Sequence, residues 1–408
     1  MADKISFDAP RGMRDFYPAD MVWRNRVFDA FKAAGEAAGF EPYDACVVES
    51  YELLERKAGE EVGEQLYHFL DKSDRHLALR AEMTPTLARM VAQRQKELHF
   101  PLKWTAIAQC FRYERMTKGR KREHYQWNMD IIGEDSVLAE IEVIGAAVDA
   151  LKRMGLKTDD FKVHVSSRKF LGSLLEKSGI PAEKHAQVFL ALDKRGKMPD
   201  EEIAAMLKDG GLSEDETKAT FAIMDLKSYE GSPELEELFR LAGIAGFADS
   251  LVFDIGVIRG LSYYTGIVFE CFDTQGEFRA IFGGGRYDNL LTTIGGEPTS
   301  AVGLGFGDVV VTELLKSRLG EGAVERKGTS IGFMTEGERD AALSLAMRLR
   351  REGDRVDLAL RPQKPKKFFA RASETNAAKA VFIGPDDVAA GKARLKDLAT
   401  REEKEICL

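Results

Sequence analysis

Apolar residues recur every three to four positions from Ala19 to Ala38, with Val22, Val27, Phe28, Phe31 and Ala34 on one face. This spacing predicts an amphipathic helix that Gly39 ends. A second such stretch runs from Thr84 to Glu97, with Pro85 in the first turn, where a missing amide donor costs nothing. After Lys103 the period shortens to two. Trp104–Glu114 reads as a strand, Met116–Arg122 as a basic, glycine-containing loop, and Glu123–Ile132 as the return strand of a hairpin. On the return strand Gln126, Asn128 and Asp130 point one way, and Tyr125, Trp127, Met129 and Ile131 the other. Arg112 and Glu114 extend the polar face. Such a face is either solvated or the wall of a site, and the pattern leaves both open.

Val137–Met154 reads as a long helix. From Ser166 to Ala245 the chain is mainly helical, rich in Lys, Asp and Glu, and lacks the glycine and aromatic signals of its neighbours, as an inserted helical module would. Strand patterns resume at Leu251–Ile258, Ile267–Phe272 and Phe278–Phe282. The run Gly303-Leu304-Gly305-Phe306-Gly307 suggests a strand passing close under a ligand, or a tightly packed strand-to-helix turn. After a linker near Leu319–Lys327 the style changes: strand Thr329–Met334, helix Arg339–Glu352, strand Arg355–Leu360, helix Pro365–Asn376 and strand Ala380–Ile383. That alternation predicts a small α/β domain with a mostly parallel sheet. The expected organisation is a discontinuous core (1–165 and 246–320), a helical insertion (166–245) and a C-terminal α/β domain (328–408).

Composition adds limits. With 44% apolar and 31% charged residues among 408, the chain is globular rather than disordered. No apolar run approaches the ~18 residues of a membrane span, and the start, Met1 to Phe7, has no export pattern. Cys46, Cys110, Cys271 and Cys407 lack metal-like spacing and read as reduced thiols, so the expected compartment is the cytoplasm and no membrane partner is expected. The net charge of −8 excludes a uniformly basic coat, not a local basic patch. The tail carries about 16 basic and 13 acidic residues, against an acidic remainder. Its run Arg361, Lys364, Lys366, Lys367, Phe368, Phe369, Arg371 has the composition of a phosphate-and-base binding surface, and equally that of a solvated helix face.

Four segments converge: Leu79-Arg80-Ala81-Glu82-Met83-Thr84; Phe111-Arg112-Tyr113-Glu114 through Gln126 and Asp130; Arg259-Gly260-Leu261-Ser262-Tyr263-Tyr264-Thr265-Gly266; and Gly283-Gly284-Gly285-Arg286-Tyr287-Asp288. In this order they resemble the histidyl-tRNA synthetases, a branch of the class II aminoacyl-tRNA synthetases, over almost the whole chain. The resemblance implies an α+β core, an antiparallel sheet flanked by helices, with a helical insertion and an anticodon-binding-like tail. It also implies joining of the L-histidine carboxylate to the α-phosphate of ATP, then transfer to the 3′ end of tRNA(His), by a homodimer using Mg²⁺ held on ATP rather than by protein side chains.

The resemblance further assigns roles. Arg112 and Arg259 clamp the α-phosphate and carboxylate from two sides, as catalytic groups. A planar, always-charged guanidinium suits that task. Glu82, Met83, Thr84, Gln126 and Asp130 match the histidine pocket, with Tyr263 and Tyr264 toward the imidazole. Adjacent strand tyrosines face opposite ways, so one of the two is expected to pack. Glu114 and His124 fall to the ATP site, and Arg286 either contacts phosphate or braces the site. Arg115, Lys118 and Arg120, with Lys121 and Arg122, become acceptor-stem contacts.

The chain departs from the family pattern at four places. Val309-Val310 stands where motif 3 carries Glu-Arg, whose arginine holds the γ-phosphate; losing one charge-assisted bond costs roughly 10- to 150-fold. Arg115 or another base of the motif 2 loop could substitute. His124 replaces an adenine-stacking phenylalanine, Cys46 aligns near the motif 1 proline, and Ser262 stands where relatives carry an acid. The missing motif 3 arginine leaves a second functional expectation beside tRNA charging: a histidine-sensing regulatory paralogue that does not charge tRNA.

Overall fold

The computed structural model describes residues 6–58, 65–117, 119–195, 198–257, 264–320 and 326–408. The chain divides into two compact units, Met1–Leu319 and Gly320–Leu408.

In the first unit the strands are β1 (Glu41–Pro42), β2 (Val48–Ser50), β3 (His68–Leu70), β4 (His76–Leu79), β5 (Leu102–Phe111), β6 (Glu123–Ile132), β7 (Phe161–Ser167), β8 (Leu251–Phe253), β9 (Ile267–Asp273), β10 (Phe282–Arg286) and β11 (Ala301–Gly307). The helices are α1 (Pro18–Ala37), α2 (Tyr51–Ala58), α3 (Thr84–Arg94), α4 (Leu138–Arg153), α5 (Arg168–Lys177), α6 (His185–Lys194), α7 (Asp200–Asp209), α8 (Glu214–Met224), α9 (Pro233–Ala245), α10 (Leu290–Thr293) and α11 (Asp308–Leu319). Eight strands form one sheet in the order β1-β5-β6-β11-β10-β9-β7-β8. Its inner pairings are antiparallel, and only the edge pairs β1–β5 and β7–β8 are parallel. A separate antiparallel sheet, β2-β4-β3, lies earlier in the chain.

The two faces of the large sheet differ in side-chain size. On one face the apolar stripe of α1 packs down: Phe31 stacks on Trp127 and meets Phe306 edge-on, both at 4.7 Å between ring centroids. The Trp127 indole N–H donates to Thr105 Oγ1 at 2.7 Å, so its polar handle is satisfied in the core. α4 adds Ile144, Leu151 and other buried apolar residues. On the other face, Ala106, Ala108 and Cys110 of β5 lie opposite Asn128, Gln126 and His124 of β6, and Gly303, Gly305 and Gly307 of β11 lie opposite Asp130, Asn128 and Gln126. Gly283 and Gly285 of β10 continue that row. The result is a shelf of backbone with few side chains above it.

The strand expected at Phe278–Phe282 is displaced. Phe282–Arg286 forms β10, and the triple glycine lies inside it between β9 and β11. Glycine's poor strand propensity hid the strand. The backbone needs glycine there: a Cβ on Gly284 would run into the Gly303 carbonyl oxygen and lie 2.9 Å from Leu304 Cα, and one on Gly285 would fall 2.7 Å from Ile267 O.

The second unit holds β12 (Thr329–Phe333), α12 (Arg339–Arg351), β13 (Val356–Leu358), α13 (Pro365–Glu374), β14 (Lys379–Ile383), α14 (Pro385–Ala390), β15 (Lys392–Asp397) and β16 (Glu403–Cys407). Its sheet runs β13-β12-β14-β15-β16, parallel in the first two pairings and antiparallel in the last two. The short, charge-alternating β15 and β16 escaped the pattern reading, so the sheet is mixed rather than mostly parallel. Phe368 is buried and Phe369 packs beside it, so these rings belong to the core, while Arg361, Lys364, Lys366, Lys367 and Arg371 stay exposed.

Candidate active site

The glycine-and-alanine shelf forms the floor of a cavity of about 1130 Å³. That exceeds the roughly 300–1,000 Å³ usual for small-molecule pockets and leaves room for a nucleotide with a second reactant. Arg112, Glu114, His124 and Gln126 line it from the β5–β6 side; Gly283, Gly305, Val309 and Val310 line it from β10, β11 and α11. Asp193, Arg195, Asp200, Asp225 and Lys227, from the helical stretch 168–245 and its loops, face it from the other side.

Arg112 follows the last residue of β5. Its Nε donates to Ala81 O at 2.9 Å, and its own amide N donates to Arg122 O at 2.8 Å. These bonds fix the guanidinium while leaving its two terminal nitrogens to the cavity. Glu114 Oε2 forms an ion pair with Arg120, 2.5 Å from its Nε. Burial lowers the Arg120 pKa; Glu114 opposes that shift, and the nearby charges of Arg279 and Arg112 add to it. His124 is held neutral: burial first, then Arg112 and Arg14, lower its pKa to about 3. A neutral ring on the cavity wall can stack on a flat partner without bringing a further charge.

The structure does not bring every predicted residue to the walls. Asp130 is 2% exposed, with the Tyr287 hydroxyl donating to its Oδ1. Burial, then the Asp130 charge, raises the pKa of both Tyr287 and Tyr43, so both stay protonated. Thr84 is buried at the start of α3, and Glu82 is partly buried just before it. Met83 is fully buried against Ala106, Ala108 and Cys110, with Arg80 donating to its sulfur at 3.4 Å. It serves packing rather than ligand contact. Tyr264, at 7% exposure, sits in an apolar cluster with Val257, Val268 and Tyr287. Arg259, Ser262, Tyr263 and Lys118 lie outside the described residues. Arg115 is exposed and Arg120 is half-buried at the cavity.

Arg286 is corrected. It is 5% exposed, and its guanidinium donates to Glu140 through Nε at 2.7 Å and Nη2 at 2.6 Å, and to Glu134 O and Ser136 O. Every nitrogen is engaged with α4 and the loop before it, so Arg286 braces the sheet and does not reach a phosphate.

Sequence reasoning missed three features. Arg14 bridges Asp308, at 2.9 Å, and Glu123, whose carboxylate also accepts from the Arg14 amide at 3.1 Å. Asp308 further accepts from the Tyr125 amide at 2.9 Å, which ties the start of α11 to β6. An aspartate among glycines and valines was the available signal. The charged residues of the insertion that face the cavity stood in a stretch rich in Lys, Asp and Glu and gave no signal. Arg279, on the β9–β10 loop, lines the cavity beside them. Among the described residues no group of three or more His, Cys, Asp or Glu side chains could hold a metal ion, and no helix is long and apolar enough to cross a membrane.

Comparison with known proteins gives a consistent result. The family model described as histidyl-tRNA synthetase matches residues 12–307, and one described as anticodon binding domain matches 327–408. A chloroplastic/mitochondrial histidine–tRNA ligase of Arabidopsis thaliana is 44% identical over 99% of this chain and 86% of its own. A histidine–tRNA ligase of Natronomonas pharaonis is 36% identical over 98% of this chain and 96% of its own. Among solved structures, the histidyl-tRNA synthetase of Nostoc sp. has a TM-score of 0.80 at 22% identity, covering 99% of this chain and 97% of its own. A Bacillus halodurans protein described as an ATP phosphoribosyltransferase regulatory subunit/histidyl-tRNA synthetase has a TM-score of 0.76 at 23% identity, covering 94% of this chain and 100% of its own; at these identities the likeness to solved structures speaks for the fold alone. By the match of more than half its length to that family model and by its near full-length identity to the two ligases, this chain belongs to the histidyl-tRNA synthetase family.

Proposed function

We propose that the chain activates L-histidine with ATP, forming histidyl-adenylate and pyrophosphate, and transfers the histidyl group to the terminal ribose of tRNA(His). The observation that carries this reading is Arg112, pinned by Ala81 O yet open to a cavity large enough for a nucleotide, beside a neutral ring at His124. Two anions must meet in this reaction, and a fixed guanidinium aimed at the reacting phosphate lowers their repulsion and stabilises the charge that grows there. His124 stacks on adenine. The shelf of Gly303, Gly305 and Gly307 lets the substrates lie against backbone. Gln126 and Asp130 receive the histidine ammonium, Asp130 acting from among Tyr43 and Tyr287. Tyr263 and Arg259 complete the pocket in this reading. Magnesium enters with ATP as part of the substrate, bridging its phosphates.

The exposed bases of α13 in the second unit and Arg115 and Lys121 in the first serve tRNA. The chain acts as a cytoplasmic homodimer in this reading. Exposed Val48, Phe69 and Leu70 on the three-stranded sheet support a subunit contact, and four unpaired thiols support a reducing compartment. Val309-Val310 favours the alternative of a histidine sensor, but a sensor has no use for the phosphate-facing Arg112. The test is charging of a tRNA(His) transcript with labelled histidine. Acid-precipitable label that depends on ATP is the expected result; histidine binding with no label on tRNA would favour the sensor.

A further inference from the structure

Six basic and six acidic side chains line the cavity, and the basic ones differ in whether they hold a carboxylate partner. Glu114 is committed to Arg120, and Arg195 to Asp225 at 2.7 Å. Arg279 is exposed on the loop between β9 and β10 and lines the same cavity as Arg112, Arg120 and Val310. Among the described residues it has no carboxylate partner. The loop that carries it is built rather than slack. Asp273 accepts from the amides of Glu277 and Phe278, both at 3.0 Å, and Ile281 N donates to Cys271 O at 2.7 Å. Arg318, near the end of α11, lies 3.5 Å from Glu277 and 3.8 Å from Asp273. The helix that carries the two valines in its first turn therefore holds the Arg279 loop at its other end. The motif 2 loop closes on the same place, since a Cβ on Gly119 would lie 3.3 Å from Val310 Cγ2. Guanidinium groups gathered in one cleft repel each other unless an anion lies among them.

We propose that Arg279 takes over the task of the arginine missing at Val310, binding the β- and γ-phosphates of ATP. This deepens the proposed function and rests on it for the reaction. As the histidine carboxylate oxygen attacks the α-phosphorus, the bond from that phosphorus to the bridging oxygen breaks. Pyrophosphate leaves with the electron pair, and Arg279 and Arg120 face the charge that it gathers. At Val310 the cavity wall offers only an apolar side chain, so the replacement reaches the phosphates from the neighbouring hairpin instead of from α11.

The test compares wild type, Arg279→Ala and Arg279→Lys, each as full chain. Isothermal titration measures ATP and, separately, a sulfamoyl analogue of histidyl-adenylate, which lacks the two outer phosphates. Arg279→Ala should weaken ATP by about 10- to 100-fold and leave the analogue within about twofold. Arg279→Lys, which keeps the charge but not the fork, should recover part of the loss. Equal weakening of both ligands would make Arg279 a structural residue, and unchanged ATP affinity would remove it from the site; either result overturns the proposal. Because ATP binding is read without turnover, a wild type that binds ATP through Arg279 but never charges tRNA would overturn the proposed function alone.

Discussion

The two faces of β6 carry alternate residues of one ten-residue strand and have opposite economies of space. Tyr125, Trp127, Met129 and Ile131 turn to α1 and α4, where Trp127 is 1% exposed and ring meets ring. His124, Gln126, Asn128 and Asp130 turn to a shelf where the opposing residues are alanine, cysteine and glycine, save Trp104 across from Asp130. On the first face large side chains fill the volume and hold the fold. On the second, small ones keep the volume empty, so the few polar groups that remain can meet a ligand. The difference separates stability from function within a single strand, and each face makes its own predictions.

The largest expected effect falls on the filled face. Trp127→Ala should cost about 3–5 kcal/mol of unfolding free energy through lost packing and the cavity left behind. Chemical denaturation measures it, and the ATP affinity of the molecules that stay folded should be unchanged. Next comes the open face. Arg112→Ala should lower histidine-dependent pyrophosphate exchange by about 100- to 1,000-fold, as for loss of one oriented donor to a developing anion, with the unfolding midpoint little moved. If Arg112→Ala unfolded the chain while Trp127→Ala impaired only turnover, the comparison would be reversed.

A smaller and sharper change is Gly305→Ala. The added methyl would sit 2.6 Å from Gln126 Nε2, so the end of a flexible side chain must move. The KM for histidine should rise about 10-fold, since loss of one polar contact is worth about 1–1.5 kcal/mol, with little change in stability. Steady-state exchange kinetics and a melting curve on the same sample decide it.

The smallest effect is on pH. The His124 pKa lies at about 3 in the folded protein against 6.5 for a free imidazole. Between those values the unfolded chain holds the extra proton, so the stability from the neutral ring is complete above pH 6.5 and is lost as pH falls below it. For a partly exposed ring the expected loss at pH 5 is about 1 kcal/mol. His124→Phe should flatten that part of the pH–stability curve while keeping ATP affinity, because a phenyl ring still stacks.

What could be read from sequence followed from periodicity. The helix over Thr84–Arg94 and the β5–β6 hairpin were legible because their apolar spacing is 3.6 or 2. β10 was not, since three of its five residues are glycine and carry no side-chain pattern. The polar stripe of β6 was legible as a stripe, but its burial was not: Asn128 and Asp130 are covered by partners from β11 and Tyr287 that lie far along the chain. The same holds for Arg286, whose partner Glu140 is 146 residues away. A local pattern shows which residues share a face, and only the assembled fold shows what stands opposite that face. Arg279 was invisible for the same reason.

The measurement that most directly tests the account is ATP–pyrophosphate exchange by the purified chain with each amino acid in turn. Exchange is expected with histidine and with none of the others, which would mean that the cavity forms histidyl-adenylate without an arginine at Val310. Histidine binding without exchange would contradict it.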